Sequence, residues 1–420
     1  MYIRLIHIRP LLLLMLCVFS SLQLNAQHEA FIYGEVELRD ESRLKGIITW
    51  SAGQNLWVDL LVAEKRDNTI LDHLRQEDIR HLSAGEKKSD WGFMALWKNQ
   101  YPSRKLTFQS QFGNILEIMV TGEEEATIVL KNHENIRVFL NDDPEYAHQL
   151  GEAIHVQLQN GERTSLPWRE IERVRFQRTP TTLANYESKP LYGQVTTRTG
   201  YAYEGLIKWD LHEHLDDQYL DGTTIDDRRG RYHFYEVKSI RPKNKGSLIQ
   251  LQSNKEIYLH ELSNVTNKNA GIQVRNPHWG QIELKWGDFK TAHFTPYPAG
   301  AGFGYDDFKI PNALHGTVAL KSGQEIKGSI YYDLDEHWSI ETLDGWAKGG
   351  GLRQVPFSLI KEIYPVSATH TAVILMDDQK IILGERSDVD QNNWGIMIQS
   401  TDGQFSYVPW QNLQRLKFDH

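Results

Sequence analysis

Polar and apolar positions alternate with a period of two over short stretches along most of the chain. Thr317, Ala319 and Lys321 alternate with Val318 and Leu320; Ser322-Gly323 interrupts, and Ile326, Gly328 and Ile330 resume the same period. This is the pattern of half-buried strands joined by tight turns. Asp221-Gly222, Asp344-Gly345, Asn160-Gly161 and Asp402-Gly403 supply hairpin-type turns, because glycine accepts a positive φ. Gly46, Gly205 and Gly328 instead fall inside strand patterns, which predicts a bulge, a sharp corner or a close approach of a neighbouring backbone. Helical periodicity is scarce, so the pattern predicts an all-β protein.

The pattern also repeats. Gly316, Val318, Gly328, Ile330, Tyr332, Asp333, Glu336, His337, Leu343, Asp344 and Gly345 recur 123 positions earlier as Gly193, Val195, Gly205, Ile207, Trp209, Asp210, Glu213, His214, Leu220, Asp221 and Gly222. Gly34, Val36, Gly46, Ile48 and Trp50 open a third copy that then diverges. A closing motif of constant spacing reads Trp168, Ile171, Val174, Phe176, then Trp286, Phe289, Ala292, Phe294, then Trp410, Leu413, Leu416, Phe418. Between them, Ser263-Asn264-Val265 with Asn269 matches Ser387-Asp388-Val389 with Asn393. Repetition at fixed spacing marks tandem duplication. The copies span 31–178, 190–296 and 313–420, each with a leading and a trailing half, separated by Pro-containing connectors at 177–190 and 295–312. The first copy carries extra residues near 84–125, where Trp91, Met94, Ala95 and Trp97 predict a short amphipathic helix and 114–120 a strand. An added hairpin and helix of this kind covers a sheet edge.

Short strands, a bent second strand and a closing Pro-aromatic turn fit a small closed barrel. Ser322-Gly323, Ile326-Lys327-Gly328, Val355-Pro356-Phe357, Ile360 and Ile363 resemble the SH3-like small barrels, in particular the Sm-like and PRC-barrel groups. That resemblance implies tandem SH3-like β-barrel modules in three paired repeats; a six-bladed β-propeller is the alternative closure. The order Trp209-Asp210, Leu220-Asp221-Gly222, Ser263-Asn264-Val265 and the terminal Trp/Phe motif also resembles a family of exported bacterial β-repeat proteins, a likeness that implies no activity.

Residues 1–26 have the layout of a secretory signal. Arg4 and Arg9 precede an apolar run over 11–19, and Leu24-Asn25-Ala26 forms a cleavage site. The run is shorter than a membrane span needs. Cys17, the one cysteine, lies within it, so the mature chain has no disulfide, cysteine metal site or thiol nucleophile. The net charge of −9, with both signs scattered, argues against a nucleic-acid partner. The partner class expected of an exported chain is an envelope or extracellular protein or glycan.

The densest candidate chemistry is Asp210, Glu213, His214 and Asp221, mirrored by Asp333, Glu336, His337 and Asp344. Oxygen and imidazole donors in this density suit a divalent metal or paired acid–base work, whereas Asp after a strand and Asp before Gly are also ordinary turn chemistry. The His-Glu pairs lack a second histidine four places on, and Asp388, Asp390 and Asn392 lack the glycine and terminal glutamate of a calcium loop. Neither a Gly-x-Ser-x-Gly elbow nor a phosphate-binding loop is present. The expectation is a non-catalytic exported binding or scaffold protein without a cofactor. A glycan-acting hydrolase with paired carboxylates and a metal-dependent adhesion or sensor module are the alternatives.

Overall fold

The computed structural model describes residues 28–51, 53–65, 69–85, 106–141, 148–181, 183 and 185–420. The expected export signal with Cys17, and the helix expected at Trp91, Met94, Ala95 and Trp97, lie outside them. The described chain is built of antiparallel strands in one ten-stranded and one twenty-stranded sheet. No described helix is long and apolar enough to cross a membrane.

Ten strands fall in the first copy: β1 (Tyr33–Leu38), β2 (Arg43–Thr49), β3 (Leu60–Lys65), β4 (Leu106–Gln111), β5 (Ile115–Val120), β6 (Glu125–Leu130), β7 (Asn135–Phe139), β8 (Ile154–Leu158), β9 (Arg163–Leu166) and β10 (Ile171–Phe176). The second copy holds β11 (Tyr192–Thr197), β12 (Ala202–Trp209), β13 (Tyr219–Thr223), β14 (Arg229–His233), β15 (Val237–Lys243), β16 (Gly246–Leu251), β17 (Glu256–His260), β18 (Ile272–Asn276), β19 (Gly280–Leu284) and β20 (Phe289–Thr295). The third holds β21 (His315–Leu320), β22 (Glu325–Tyr332), β23 (Thr342–Ala347), β24 (Leu352–Pro356), β25 (Ile360–Pro365), β26 (His370–Leu375), β27 (Lys380–Gly384), β28 (Ile396–Gln399), β29 (Phe405–Val408) and β30 (Leu413–Phe418).

In the third copy the paired strands run β29-β28-β22-β21-β30-β25-β26-β27-β23-β24. The corresponding strands pair in the same order in the second copy and in the first. This order is unchanged when each strand is exchanged for the one five places along. β22 of the leading half pairs with β28 of the trailing half, and β27 of the trailing half with β23 of the leading half. Each half therefore lends a hairpin to the other.

This corrects the expected closure. None of the sheets closes into a barrel, and ten- and twenty-stranded sheets are not the separate short blades of a propeller. Period-two alternation, which is satisfied by any neighbour of matching register, cannot distinguish a strand that closes on its own half from one that crosses over.

The exchange leaves one core per copy rather than two. In the third copy Val318, Ile330, Leu343, Val355, Ile363, Val373, Leu383, Ile396, Val408 and Leu416, one from each strand, belong to a single buried cluster. The closing tryptophans lie within these cores, with Trp168, Trp286 and Trp410 at 3%, 8% and 5% exposure. Phe112, Phe234 and Phe357 do the same work at the end of the leading halves, each opening a short 3₁₀ turn before a strand. The strand-interior glycines answer to close approach. A Cβ on Gly46, Gly205 or Gly328 would collide with the carbonyl oxygen of Gln157, Arg275 or Gln399 on the strand received from the other half.

The surplus residues of the first copy enter between β3 and β4, upstream of the expected 84–125, since β4 and β5 pair as β14 and β15 do elsewhere. Within this segment Ile70, Leu74 and Ile79, the last on helix α1 (Gln76–Gly85), pack on Leu334, Trp394 and Met397 of the third copy. His73 stacks on Phe405 of β29, a strand that among the described residues pairs with β28 alone. The second connector runs back over the first copy. Tyr305 lies 4.7 Å from Trp57, its hydroxyl donates to Ile115 O at 2.9 Å, and Phe303 and Phe308 join the same core.

Candidate functional site

The two duplicated Asp/Glu/His turns begin where β12 and β22 end. Asp210-Leu211 and Asp333-Leu334 adopt left-handed backbone, with φ between 50° and 57°, which turns the chain back on itself. Asp tolerates this conformation because its short carboxylate can accept local backbone hydrogen bonds. The Glu closes the turn with its main chain: Trp209 N donates to Glu213 O at 2.6 Å, and Tyr332 N to Glu336 O at 2.8 Å.

The Asp side chains then reach the lent hairpin. Asp210 Oδ1 accepts from Ala270 N at 2.5 Å and Oδ2 from Asn264 Nδ2 at 3.1 Å; Asp333 Oδ1 accepts from Trp394 N. Both aspartates clasp the leading half to the loop before β18 or β28. His214 and His337 are turned inward. His214 Nδ1 faces His212 O at 2.8 Å, and burial pulls this imidazole down to about 4, so it is neutral at pH 7. His337 Nδ1 faces Ile330 O at 2.9 Å, its ring stacks on Tyr331 at 4.0 Å, and burial lowers its pKa also.

The fourth members diverge, and they correct an expectation: Asp221-Gly222 and Asp344-Gly345 lie inside β13 and β23 and not in hairpin turns, their glycines giving room to Leu259 and Leu383. Asp221 is partly exposed, 3.5 Å from both Arg229 and Arg231. Asp344 is buried and accepts from Thr342 Oγ1 at 2.9 Å and Gln354 Nε2 at 3.0 Å. No group of three or more His, Cys, Asp or Glu side chains among the described residues is arranged to hold a metal ion. In the third copy Asp333, Glu336 and Asp344 are buried, and half-buried Asp388 lies near enough to repel both Glu336 and Asp344. Burial first, and then Asp335, Asp388 and Asp333, push Glu336 well above the usual carboxylate range. Burial and then Asp388 push Asp344 up to about 7.

Asp388 stands where the second copy has Asn264, and both do the same structural work. Asn264 Oδ1 accepts from Asp221 N at 3.1 Å, and Asp388 Oδ2 from Asp344 N at 2.9 Å. A pH signature follows. Asp344 is protonated more readily in the folded than in the unfolded chain, so the fold takes up protons between about pH 4 and 7. Stability is full below that window and falls as pH rises through it. Asp388→Asn keeps an acceptor for Asp344 N while removing the repulsion. Thermal melts from pH 4 to 8 are expected to show a shallower fall for this variant and a higher melting temperature at pH 8. A lower melting temperature at pH 8 would contradict the assignment.

Sequence reading did not identify the residues that join the copies. Residues 59, 218 and 341 stand at the repeat offsets as Asp, Gln and Glu, and each accepts two backbone N–H groups at the start of its loop. The two acidic members each meet a cation from another copy. Arg275 on β18, 1% exposed, contacts Asp59. Lys65 on β3 lies 2.6 Å from both Glu341 and Asp335. Gln218, being neutral, has no charge to offer a cation. The second and third copies are joined by pairing of β19 with β24, which merges their sheets. At the centre Gln109 of the first copy accepts from Thr342 Oγ1 at 3.1 Å and Gln354 Nε2 at 2.6 Å of the third, and Gln354 Oε1 accepts from Gln281 of the second. The recurrence of an acceptor at 59, 218 and 341 was a usable signal; the cations were not, because each appears in one copy only.

Beside Lys65, Asp335, His337, Trp338 and Glu341 line a cavity of about 320 Å³ between the first and third copies. Compared with known protein families, curated proteins and solved structures, the chain finds no match.

Proposed function

We propose that this chain is an exported, non-catalytic binding scaffold of the bacterial envelope, built from three pairs of SH3-like halves that have exchanged hairpins. The observation that carries the reading is the buried polar junction, in which Arg275–Asp59, Lys65–Glu341 and the Gln109–Gln354–Gln281 chain fix three copies in one orientation. A buried polar network specifies geometry at some cost in stability, here including the unpartnered Nε and Nη2 of Arg275, which suits a body that presents surfaces at set distances. The residues best suited by type for acid–base work support it too. Asp210 and Asp333 are engaged as acceptors for backbone groups of the loops before β18 and β28, His214 is buried, and the half-buried His337 has its Nδ1 at Ile330 O. The apolar leader over 11–19 supports export.

Fractionation of producing cells tests location: the whole chain is expected in the envelope or medium, and a chain starting at residue 28 in the cytoplasm. Incubation of purified protein with isolated envelope glycan tests activity. Retention on the glycan without new reducing ends is the expected result. Release of reducing ends, abolished by an Asp→Asn change in the duplicated turns, would establish the hydrolase instead. A melting shift on adding EDTA, lost in Glu213→Ala/Glu336→Ala, would establish the metal-dependent module.

A further inference from the structure

The second copy carries an open cleft of about 1010 Å³, floored by Trp286 and ringed by Arg198, Lys245, Lys268 and Lys285, with Glu261 as its one acidic residue. Arg198, Lys245 and Lys268 are exposed and make no ion pair with a described residue, while Lys285 lies over the ring of Trp346 at 4.7 Å. Asn269 opens into the same cleft. It is 8% exposed, its Oδ1 accepts from Gly271 N at 3.0 Å, and its Nδ2 is a buried donor without a partner. An unpaired buried amide donor gives up its hydration with nothing in return, so its retention calls for an explanation.

The duplicate provides the comparison. In the third copy Asn393 accepts from Gly395 N in the same way, but its Nδ2 donates to Asp388 O at 2.9 Å. In both copies that carbonyl accepts a further donor, the Trp209 indole at Asn264 O (2.8 Å) and the Tyr332 hydroxyl at Asp388 O (2.7 Å), but in the second copy Asn269 Nδ2 is left without a partner. The cations diverge in step. Lys268 corresponds to Asn392 and Lys285 to Pro409, and the turn holding Lys245 corresponds to 366–369, which has no basic residue. In the first copy the matching turn holds Glu123 and Glu124. The fold is thus built elsewhere without these lysines. Arg198 differs: its counterparts Arg39 and Lys321 cap carbonyls of the closing turn, at Arg169 O and Gln411 O, so a cation there is structural.

We propose that this cleft binds an acidic saccharide, one that presents carboxylate or phosphate groups together with hydroxyls. Lys245 and Lys268 take the oxyanions, and Asn269 Nδ2 with the amides of Asn244 and Asn267 takes hydroxyl or carboxylate oxygens. The cleft has room for several sugar rings. Its one aromatic residue, Trp286, is buried and offers no stacking face for a base, and the chain's net charge of −9 opposes a long phosphate backbone. The inference names the ligand class for the binding role above, but the cleft stands even if the chain is not exported.

Calorimetry on the whole mature chain tests it with oligogalacturonate, a phosphorylated mannose oligomer, neutral malto-oligosaccharide and a single-stranded oligonucleotide. One of the two acidic saccharides is expected to bind with an affinity that falls as salt rises, and which of them binds identifies the oxyanion. Lys245→Ala/Lys268→Ala is expected to weaken it roughly tenfold or more, at about 1.4 kcal/mol per factor of ten. Asn269→Asp keeps the acceptor for Gly271 N, removes the donor and should weaken binding with an unchanged melting temperature. Equal affinity for the neutral sugar, tighter binding of the oligonucleotide, binding unaffected by the lysine changes, or no binding of either acidic saccharide would each overturn the proposal. Absence of the chain from the envelope alongside intact saccharide binding would overturn only the scaffold reading.

Discussion

Replacing Arg275 by Met is expected to lower the unfolding free energy by about 3–5 kcal/mol, the usual cost of leaving one member of a buried ion pair without its partner. The stranded group would be Asp59, 5% exposed, whose other oxygen already accepts from Asn55 N and Leu56 N at 2.9 Å. Arg275 comes from the second copy and Asp59 from the first, so the loss also loosens their relative placement. The double variant Arg275→Met/Asp59→Asn should recover most of the loss. The asparagine retains an oxygen for the two backbone donors, as Gln218 does in the second copy with one oxygen for His214 N and Leu215 N. Urea unfolding of the two single variants and the double gives the coupling directly. A double variant no more stable than Arg275→Met would mean that the arginine acts through packing instead of charge.

Lys65→Met is expected to have an effect of the same size, with a marked pH signature. Lys65 lies 2.6 Å from Asp335 and Glu341, and these acids together with Glu336 pull its pKa up against the cost of burial. In return Lys65 holds Glu336 down, against burial and three neighbouring aspartates. Removing the ammonium pushes Glu336 higher still. The folded chain then takes up protons more readily than the unfolded one, so the defect is smallest near pH 4 and grows as pH rises above the ordinary carboxylate range. Melting temperatures at pH 4 and 8 should therefore diverge between wild type and variant. Adding Glu341→Gln, which restores the neutral residue of the second copy, should return part of the loss at pH 8. A deficit of equal size at both pH values would exclude the electrostatic account.

Much of the internal construction was legible because it is local and was written more than once. Strand alternation and the closing Trp/Phe spacing led to buried indoles at 168, 286 and 410, and Asn160-Gly161 and Asp402-Gly403 form turns, whereas Asp221-Gly222 and Asp344-Gly345 are strand residues. The glycine pattern at 46, 205 and 328 announced a close backbone approach, yet not whose backbone it was. The identical quartets Asp210/Glu213/His214/Asp221 and Asp333/Glu336/His337/Asp344 proved unequal. One substitution elsewhere, Asn264 against Asp388, and burial of Asp344 at the junction give the second quartet a charge problem that the first does not have. A motif read in isolation carries its residue types but not the dielectric or the neighbours that set their protonation.

The sequence by itself determined the all-β character, the recurrence of motifs at fixed spacing and the apolar residues that fill the cores, because these depend on period and spacing along the chain. Only the tertiary structure decided that the halves of each copy trade hairpins and that no sheet closes into a barrel. It alone also decided that Lys65, Asp59 and Arg275 meet across copies. Strand pairing is chosen by complementary edges and by the shared core of two halves, and an ion pair by which surfaces are pressed out of water. Neither leaves a periodic trace along the chain.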